Sequence, residues 1–253
     1  MKKTVSKYLK IQTSTNIKQW LIIVLIVLAI FIFAYNRKAY IYTVLANQSF
    51  GGIMYDLDMS EYFFKKLLKE DPVPMFTNYQ LSRINFIRGD QQAAIIYANK
   101  ELTLYPENCR TKYIRGLAYG YSENLKGAIK DFEAFNLCYP GVWAGANDLA
   151  WLYFRNGQVQ DALKLLEESA KLNPENPWIQ NGYGVMLLNV KRYAEAKEAL
   201  TLAKIASGKM TEENWGKNYP GNDPAVYNQG LSAMKKTIQE NIELVDKYLV
   251  GKN

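Results

Sequence analysis

From Trp143 onward the apolar residues fall into two successive helical stripes. Ala146, Leu149, Ala150 and Tyr153 recur at i, i+3, i+4 and i+7, one face of an amphipathic helix that fades at Asn156-Gly157. Ala162, Leu165, Leu166, Ser169 and Leu172 mark a second face, closed by Pro174. The pattern returns every 34 residues: Ala128, Phe132 and Pro140 stand one spacing before Ala162, Leu166 and Pro174, Ala94, Ala98 and Pro106 two before, and Ala196 and Leu200 one after. The stretches GDQQAAIIYANKELTLYPEN at 89–108 and GQVQDALKLLEESAKLNPEN at 157–176 display the self-similarity directly. Two short helices cannot bury their apolar faces alone, so the period predicts a stack in which neighbouring units complete each other's core.

A different pattern occupies the N-terminus. The run WLIIVLIVLAIFIFAY from Trp20 to Tyr35 has no polar stripe and no charge, and lies near the lower limit for a helical span. Lys18 and Arg37 flank it with stems long enough to snorkel to an interface, and Trp20 and Tyr35 are placed as interfacial aromatics. A cleaved signal peptide is the rival reading: a cut after Ala34 puts bulky Ile32 where a small residue is wanted, and Ala46 lies too far beyond Arg37 and Lys38. We therefore expect a basic cytoplasmic tail at 1–19 and a transmembrane anchor at 20–38. More lysines precede the run than basic residues follow it closely, which predicts a single-pass protein with its N-terminus cytoplasmic and the remainder extracytoplasmic. The next uncharged stretch, Ala39 to Tyr55, would return the chain to the cytoplasm if it also spanned; Asn47, Gln48, Ser49 and Gly51-Gly52 oppose that.

Leu149-Ala150-x2-Tyr153, Ala162-x3-Leu166 and Pro174, like Gly116-x2-Tyr119, Ala128-x3-Phe132 and Pro140, resemble the loose signature of the tetratricopeptide repeat. Leu81-Ser82, Ala94 and Pro106 carry it in an earlier copy; Gly184-x2-Leu187, Ala196-x3-Leu200 and Ala203 carry it in a later one. The signature tryptophan is absent from all four copies, and Gly208 replaces the last proline. The resemblance implies an all-α solenoid with repeats at 75–108, 109–142, 143–176 and 177–210. A juxtamembrane segment and atypical first repeat fill 39–74, where SEYFFKKLLKEDP ends in the same way. After the repeats, 211–253 is expected to hold a loop and a capping helix. Ser207 to Asp223 reads as irregular, with Trp215 and Tyr219 packed back on the last repeat, or serving as latch residues in the alternative. Asp223-Pro224 reads as the start of a long helix bearing Val226, Leu231, Met234, Ile238, Ile242, Val245 and Leu249 on one face.

If the family's geometry carries over, the first helix of each pair lines a concave groove. It would present Tyr79, Arg83 and Phe86, then Arg110, Tyr113 and Tyr121, then Asn147, Trp151, Phe154 and Arg155, and finally Trp178 and Asn181. Trp, Tyr and Arg offer large area and fixed donors at low entropy cost, and Asn can bond an extended backbone. Packing within the array is the alternative use of these aromatics. The Lys, Asn and Arg set with which some relatives grip a chaperone's C-terminal carboxylate has no match at the corresponding positions.

Composition removes most chemistry. The 253 residues include no histidine, and the formal charge of +7 resides wholly in residues 1–38, the remaining 24 basic and 24 acidic residues cancelling. No basic cluster on the folded part suits nucleic acid, and no phosphate loop, facing carboxylate pair, catalytic constellation, cofactor motif or metal-ligand set stands out. Cys109 opens one helix and Cys138 closes its antiparallel partner, so a disulfide is geometrically open to them, two buried thiols being the alternative. These readings point to a non-catalytic scaffold, anchored at the outer face of a cytoplasmic membrane, that binds a membrane-associated protein or peptide in secretion, envelope or complex assembly. An accessory subunit presenting substrate to a membrane enzyme, and a cytoplasm-facing adaptor, are the alternatives.

Overall fold

The computed structural model describes residues 2–51, 55–218 and 227–250, and only the backbone of 2–16, 18, 34 and 227. The chain divides after Pro74 into two compact units. The first holds α1 (Lys2–Asn36), α2 (Lys38–Gly51) and α3 (Leu57–Leu67). Asp56 caps α3 by accepting the Met59 N–H at 2.9 Å, and α2 and α3 close into a hairpin. The Ser60 hydroxyl donates to the Ala46 carbonyl at 2.9 Å, the rings of Tyr42 and Phe63 stack at 6.0 Å, and Lys38 pairs with Glu70 at 3.1 Å.

The expectation of one transmembrane helix at 20–38 is not met in that form. Among the described residues no single helix is long and apolar enough to cross a membrane; Gln19–Phe33 and Lys38–Gly51 pass only together, across a bend of 70°. The physical reason lies in the sequence: Asn36, Arg37 and Lys38 interrupt the apolar run. The segment before them spans only about 22 Å at about 1.5 Å per residue, against a hydrocarbon core of about 30 Å.

The second unit contains α4 (Thr77–Ile87), α5 (Gln91–Leu104), α6 (Cys109–Tyr121), α7 (Leu125–Cys138), α8 (Trp143–Arg155), α9 (Val159–Leu172), α10 (Pro177–Asn189) and α11 (Tyr193–Gly208). They form four antiparallel pairs, and each second helix also packs on the first helix of the next pair. Ala94, Ala128, Ala162 and Ala196, one per pair, are fully buried. The helices cross where volumes are traded. A Cβ added at Gly116 would lie 2.8 Å from the Phe132 ring, and one at Gly184 only 2.6 Å from Leu200 Cγ. Ala150 and Leu166 occupy the same two repeat positions in the third pair, Ser82 and Ala98 in the first.

The turn within each pair also repeats, with a left-handed residue every 34 positions: Gly89 at φ 79°, Glu123 at 62°, Gly157 at 81° and Lys191 at 65°. Polar groups lock neighbouring helices. The Glu101 carboxylate, buried on α5, accepts the main-chain N–H groups of Phe76, Asn78 and Tyr79 at 2.6, 3.1 and 3.3 Å, supplying the partners that the first turn of α4 lacks internally. Arg115 of α6 grips Asp131 of α7 with two hydrogen bonds of 2.7 Å and donates to Asn99 of α5. A disulfide joins Cys109 to Cys138, their Cα atoms 6.4 Å apart.

Two further elements follow, α12 (Glu212–Asn218) and α13 (Tyr227–Val250). The stretch expected to be irregular from Ser207 contains a helix because Thr211 caps it through the Asn214 N–H at 3.1 Å, and Glu213 and Lys217 pair one turn apart. Trp215 of α12 packs its ring against Gly230 of α13 and donates to Met234 Sδ at 3.2 Å. Buried Leu231, Ile238 and Val245 seat α13 mainly on α11, which covers the end of the last pair. Gly52, Tyr219, the expected Asp223-Pro224 start and Val226 lie outside the described residues.

Because Gly184 meets Leu200 and the Ala196 carbonyl so closely, Gly184→Val should lower stability by about 1–3 kcal/mol through overpacking. Chemical denaturation of the purified full chain measures it, and pairing the change with Leu200→Ala should cost less than the two losses added together.

Candidate partner-binding groove

The first helices touch one another directly, α4 with α6 and α8 with α10, so they form one face while the second helices stand behind them. On that face a cavity of about 340 Å³ opens between Tyr79, Arg110, Tyr113, Phe135, Tyr139 and Val142. Its walls are mostly aromatic, and exposed Arg110 supplies a cation at the rim. Arg110 and Tyr139 also border an adjoining cavity of about 470 Å³ with Met75, Phe76, Tyr105 and Asn108. Arg83 lies over the Tyr79 ring, 5.7 Å from its centre, and adds a second cation.

The disulfide flanks this site. Cys109 immediately precedes Arg110 and Cys138 immediately precedes Tyr139, so one covalent link ties together the backbone beside two lining residues. Further along, a smaller cavity of about 120 Å³ gathers Tyr121, Asp148, Trp151 and Arg155 around Gly116 and Gly120. Phe86 meets Tyr121 edge to face at 5.4 Å, and Arg155 is held by Glu123 at 2.6 Å and by the Gly120 carbonyl at 3.3 Å.

The structure thus brings Tyr79, Arg110 and Tyr113 to one cavity and Tyr121, Trp151 and Arg155 to the next. Tyr113 is nonetheless buried, its ring against Phe132 and Phe135 at 5.2 and 4.9 Å, so that little beyond its edge meets the cavity. Asn147 is likewise buried, and half-buried Phe154 packs into the core edge to face with Trp151. Trp178 stacks on Trp143 at 4.9 Å, and Asn181 accepts a hydrogen bond from Asn241 of α13 at 3.1 Å. These last two are engaged by packing and by the terminal helix.

Phe135, Tyr139 and Val142 line the main cavity but stand outside the first-helix set, on α7 and the turn after it. A signal for them existed: Tyr105-Pro106 and Tyr139-Pro140 place an aromatic before the closing proline in two copies, where the third has Asn173-Pro174.

Asp148, the acid of the inner face, receives the Tyr113 hydroxyl at 2.7 Å. Burial pushes its carboxyl up to about 7, against the opposing pull of the hydrogen bonds from Tyr113 and Asn147. Burial, then the neighbouring Asp148 carboxylate, drives the Tyr113 phenol well upward. The rise at Asp148 weakens its negative charge on the face, where Arg83 and Arg110 are cations and Glu107 lines the adjoining cavity beside Arg110. Among the described residues no group of three or more acids or cysteines converges to hold a metal.

With that geometry in hand, the chain can be compared with known proteins. The tetratricopeptide repeat model matches residues 143–208. The match takes in the third and fourth helix pairs. Tetratricopeptide repeat-containing protein trd-1 of Caenorhabditis elegans is 25% identical over 139 residues, 55% of this chain but 18% of the relative, so the chain spans less than a fifth of that protein. Among solved structures, MamA from residue 41 onward of Desulfovibrio magneticus RS-1 superposes with a TM-score of 0.61 at 19% identity, covering 68% of this chain and 97% of that one. YrrB, described as a tetratricopeptide protein with an unusual peptide-binding site, gives 0.53 at 17% identity, covering 73% and 96%. At such identities the tetratricopeptide structures establish the shared fold.

Asp148 generates a prediction. Its folded-state value lies above that of an unfolded aspartate, so the folded chain holds a proton that the unfolded chain releases; stability from this group is greatest below about pH 4 and is lost as pH rises through about 7. Asp148→Asn should therefore gain on the wild type by more than about 1 kcal/mol between pH 5 and pH 8 in denaturation midpoints.

Proposed function

We propose that the protein is a non-catalytic interaction scaffold whose inner face binds an extended segment of a partner protein. The observation that carries this is the aromatic cavity bounded by Tyr79, Phe135 and Tyr139 with Arg110 at its rim. It suits a bulky apolar side chain with an acidic group beside it: the ring walls contribute area at little entropic cost, and the guanidinium a fixed fork for a carboxylate. Tyr121, Trp151 and Arg155 extend the contact along the same face. The peptide-binding site named for YrrB supports the mode of use, and the segment's chemistry follows from the residues here.

In this reading the N-terminal helix tethers the scaffold to a membrane, with the basic tail cytoplasmic and the repeats outside. The support is the exposure of its apolar side chains on every side, from 49% at Ile23 to 74% at Phe31. Arg37, Lys18 and local thinning of the bilayer would make up the missing length. The bent pair of α1 and α2 favours a second topology, a re-entrant insertion that leaves the repeats cytoplasmic. Protease added outside intact cells would digest the repeats in the first topology and spare them in the second. An oxidising exterior accords with the bond between Cys109 and Cys138.

Crosslinking in native membranes followed by purification tests the groove. A partner recovered with the wild type should be reduced about tenfold with folded Arg110→Glu and with Trp151→Ala. Equal recovery with all three would move the binding surface elsewhere. The bridge is tested separately: alkylation should add two groups to the chain only after reduction, and Cys138→Ser should cost about 3–4 kcal/mol for a closed loop of this length.

A further inference from the structure

The side of α2 that faces α3 is consumed by the hairpin. Tyr42 stacks on Phe63, the Ala46 carbonyl accepts from Ser60, and Ala46 and Ser49 are buried. The opposite side is apolar and open: Tyr40, Ile41, Val44 and Leu45 are 68%, 36%, 39% and 40% exposed. At about 100° per residue these four positions form one stripe over the first turns of α2, directly opposite Ala46, and the stripe ends at Asn47 and Gln48. No charge interrupts it. None of the hairpin's charges falls within it: Lys38 and Glu70 pair at one end, Asp56 caps α3, Glu61 and Lys65 pair along α3, and Asp58 and Lys66 share a face of α3 with Tyr62.

Two facts say what covers the stripe. It continues, in sequence, an apolar helix exposed around its whole circumference, and it does so across a bend of 70°. A helix turned that far from a membrane-entering segment lies close to the membrane plane, where one apolar face meets the acyl boundary and the other stays in a polar layer. Tyr35 and Tyr40 bracket the bend at the level that aromatic rings prefer, and Arg37 and Lys38 fall where lipid phosphates would be. Spanning by α2 is opposed by its partners: crossing would strip Lys38 from Glu70 and the Ala46 carbonyl from Ser60.

We propose that the Tyr40–Ile41–Val44–Leu45 stripe seats α2 in the interfacial layer of the bilayer that α1 enters, making the α2–α3 hairpin a surface-lying element. This rests on the membrane reading of α1 given above, and goes beyond it by assigning a lipid-facing role to a helix outside the anchor.

The test uses the full chain in vesicles of phosphatidylcholine and phosphatidylglycerol with acyl chains brominated near the headgroup. Tryptophan emission added by Val44→Trp is compared with that added by Tyr62→Trp on the charged face of α3; Ile41→Trp repeats the stripe measurement if Val44→Trp disturbs the helix. The stripe tryptophan should be quenched about twofold by brominated lipid and shielded from iodide, while that at position 62 should be open to iodide. If the chain floats with the vesicles after alkaline carbonate, and Trp20→Phe removes part of the lipid quenching, yet the stripe tryptophan is quenched by iodide, the anchor stands and this proposal falls. Shielding from both quenchers would mean that protein covers the stripe, which also overturns it. A chain that fails to float removes the membrane reading itself.

Discussion

The structure depends on how closely two helices of a pair can approach. The chain solves this position by position: Gly116 lies under Phe132 and Gly184 under Leu200, whereas in the first pair both partners are small and the Ser82 hydroxyl reaches the Ala94 carbonyl at 2.8 Å where Ala98 leaves room. Interiors packed to crystal-like density allow no other compromise, because an added methyl group has nowhere to go. Once each pair is close, its second helix meets the first helix of the next, and the stack propagates. Each turn then needs a left-handed residue, which glycine supplies at 89 and 157 without Cβ strain and which Glu123 and Lys191 adopt at some cost.

Polar groups fix how the two helices of a pair meet, in the first pair and in the second. Glu101 and Asp131 are buried acids, and both are satisfied by neighbours in adjacent helices, the first by main-chain amides and the second by Arg115. Removal of either acid would leave donors unsatisfied, so these contacts specify as well as stabilise. The disulfide acts in the same region, between the ends of α6 and α7, and its neighbours Arg110 and Tyr139 both line the main cavity. A binding surface held in this way loses less entropy when a partner arrives, which is the physical value of placing recognition on a rigid repeat. The proposed tether would add to this by confining the face to a thin layer of solution, where even a modest affinity becomes effective.

Much of this was legible in the chain before any coordinates. The 34-residue period, the buried alanines and the closing prolines located the pairs, because helical stacking imposes periodic demands on residue size. The apolar positions Leu231, Ile238 and Val245 identified the terminal helix for the same reason. The short helix at Glu212 was not legible, since a single capped turn with one ion pair leaves too weak a pattern among glycines and asparagines. Nor was the bend at Arg37, where a run read as one straight anchor turns by 70°.

The candidate site divides along the same line. Sequence alone determined that Tyr79, Arg110, Trp151 and Arg155 belong to first helices, and so to one face, because spacing along a helix dictates direction. Tertiary structure decided which of the expected residues remain available to a partner. Tyr113 and Asn147 turn into the core, Trp178 stacks on Trp143, and Asn181 is taken by α13, because each contact depends on a residue distant in sequence. It also brought in Phe135 and Tyr139 from a second helix and its turn, and raised the Asp148 carboxyl by enclosing it. Periodicity records local geometry; burial, cavities and charge arise only when separate segments meet.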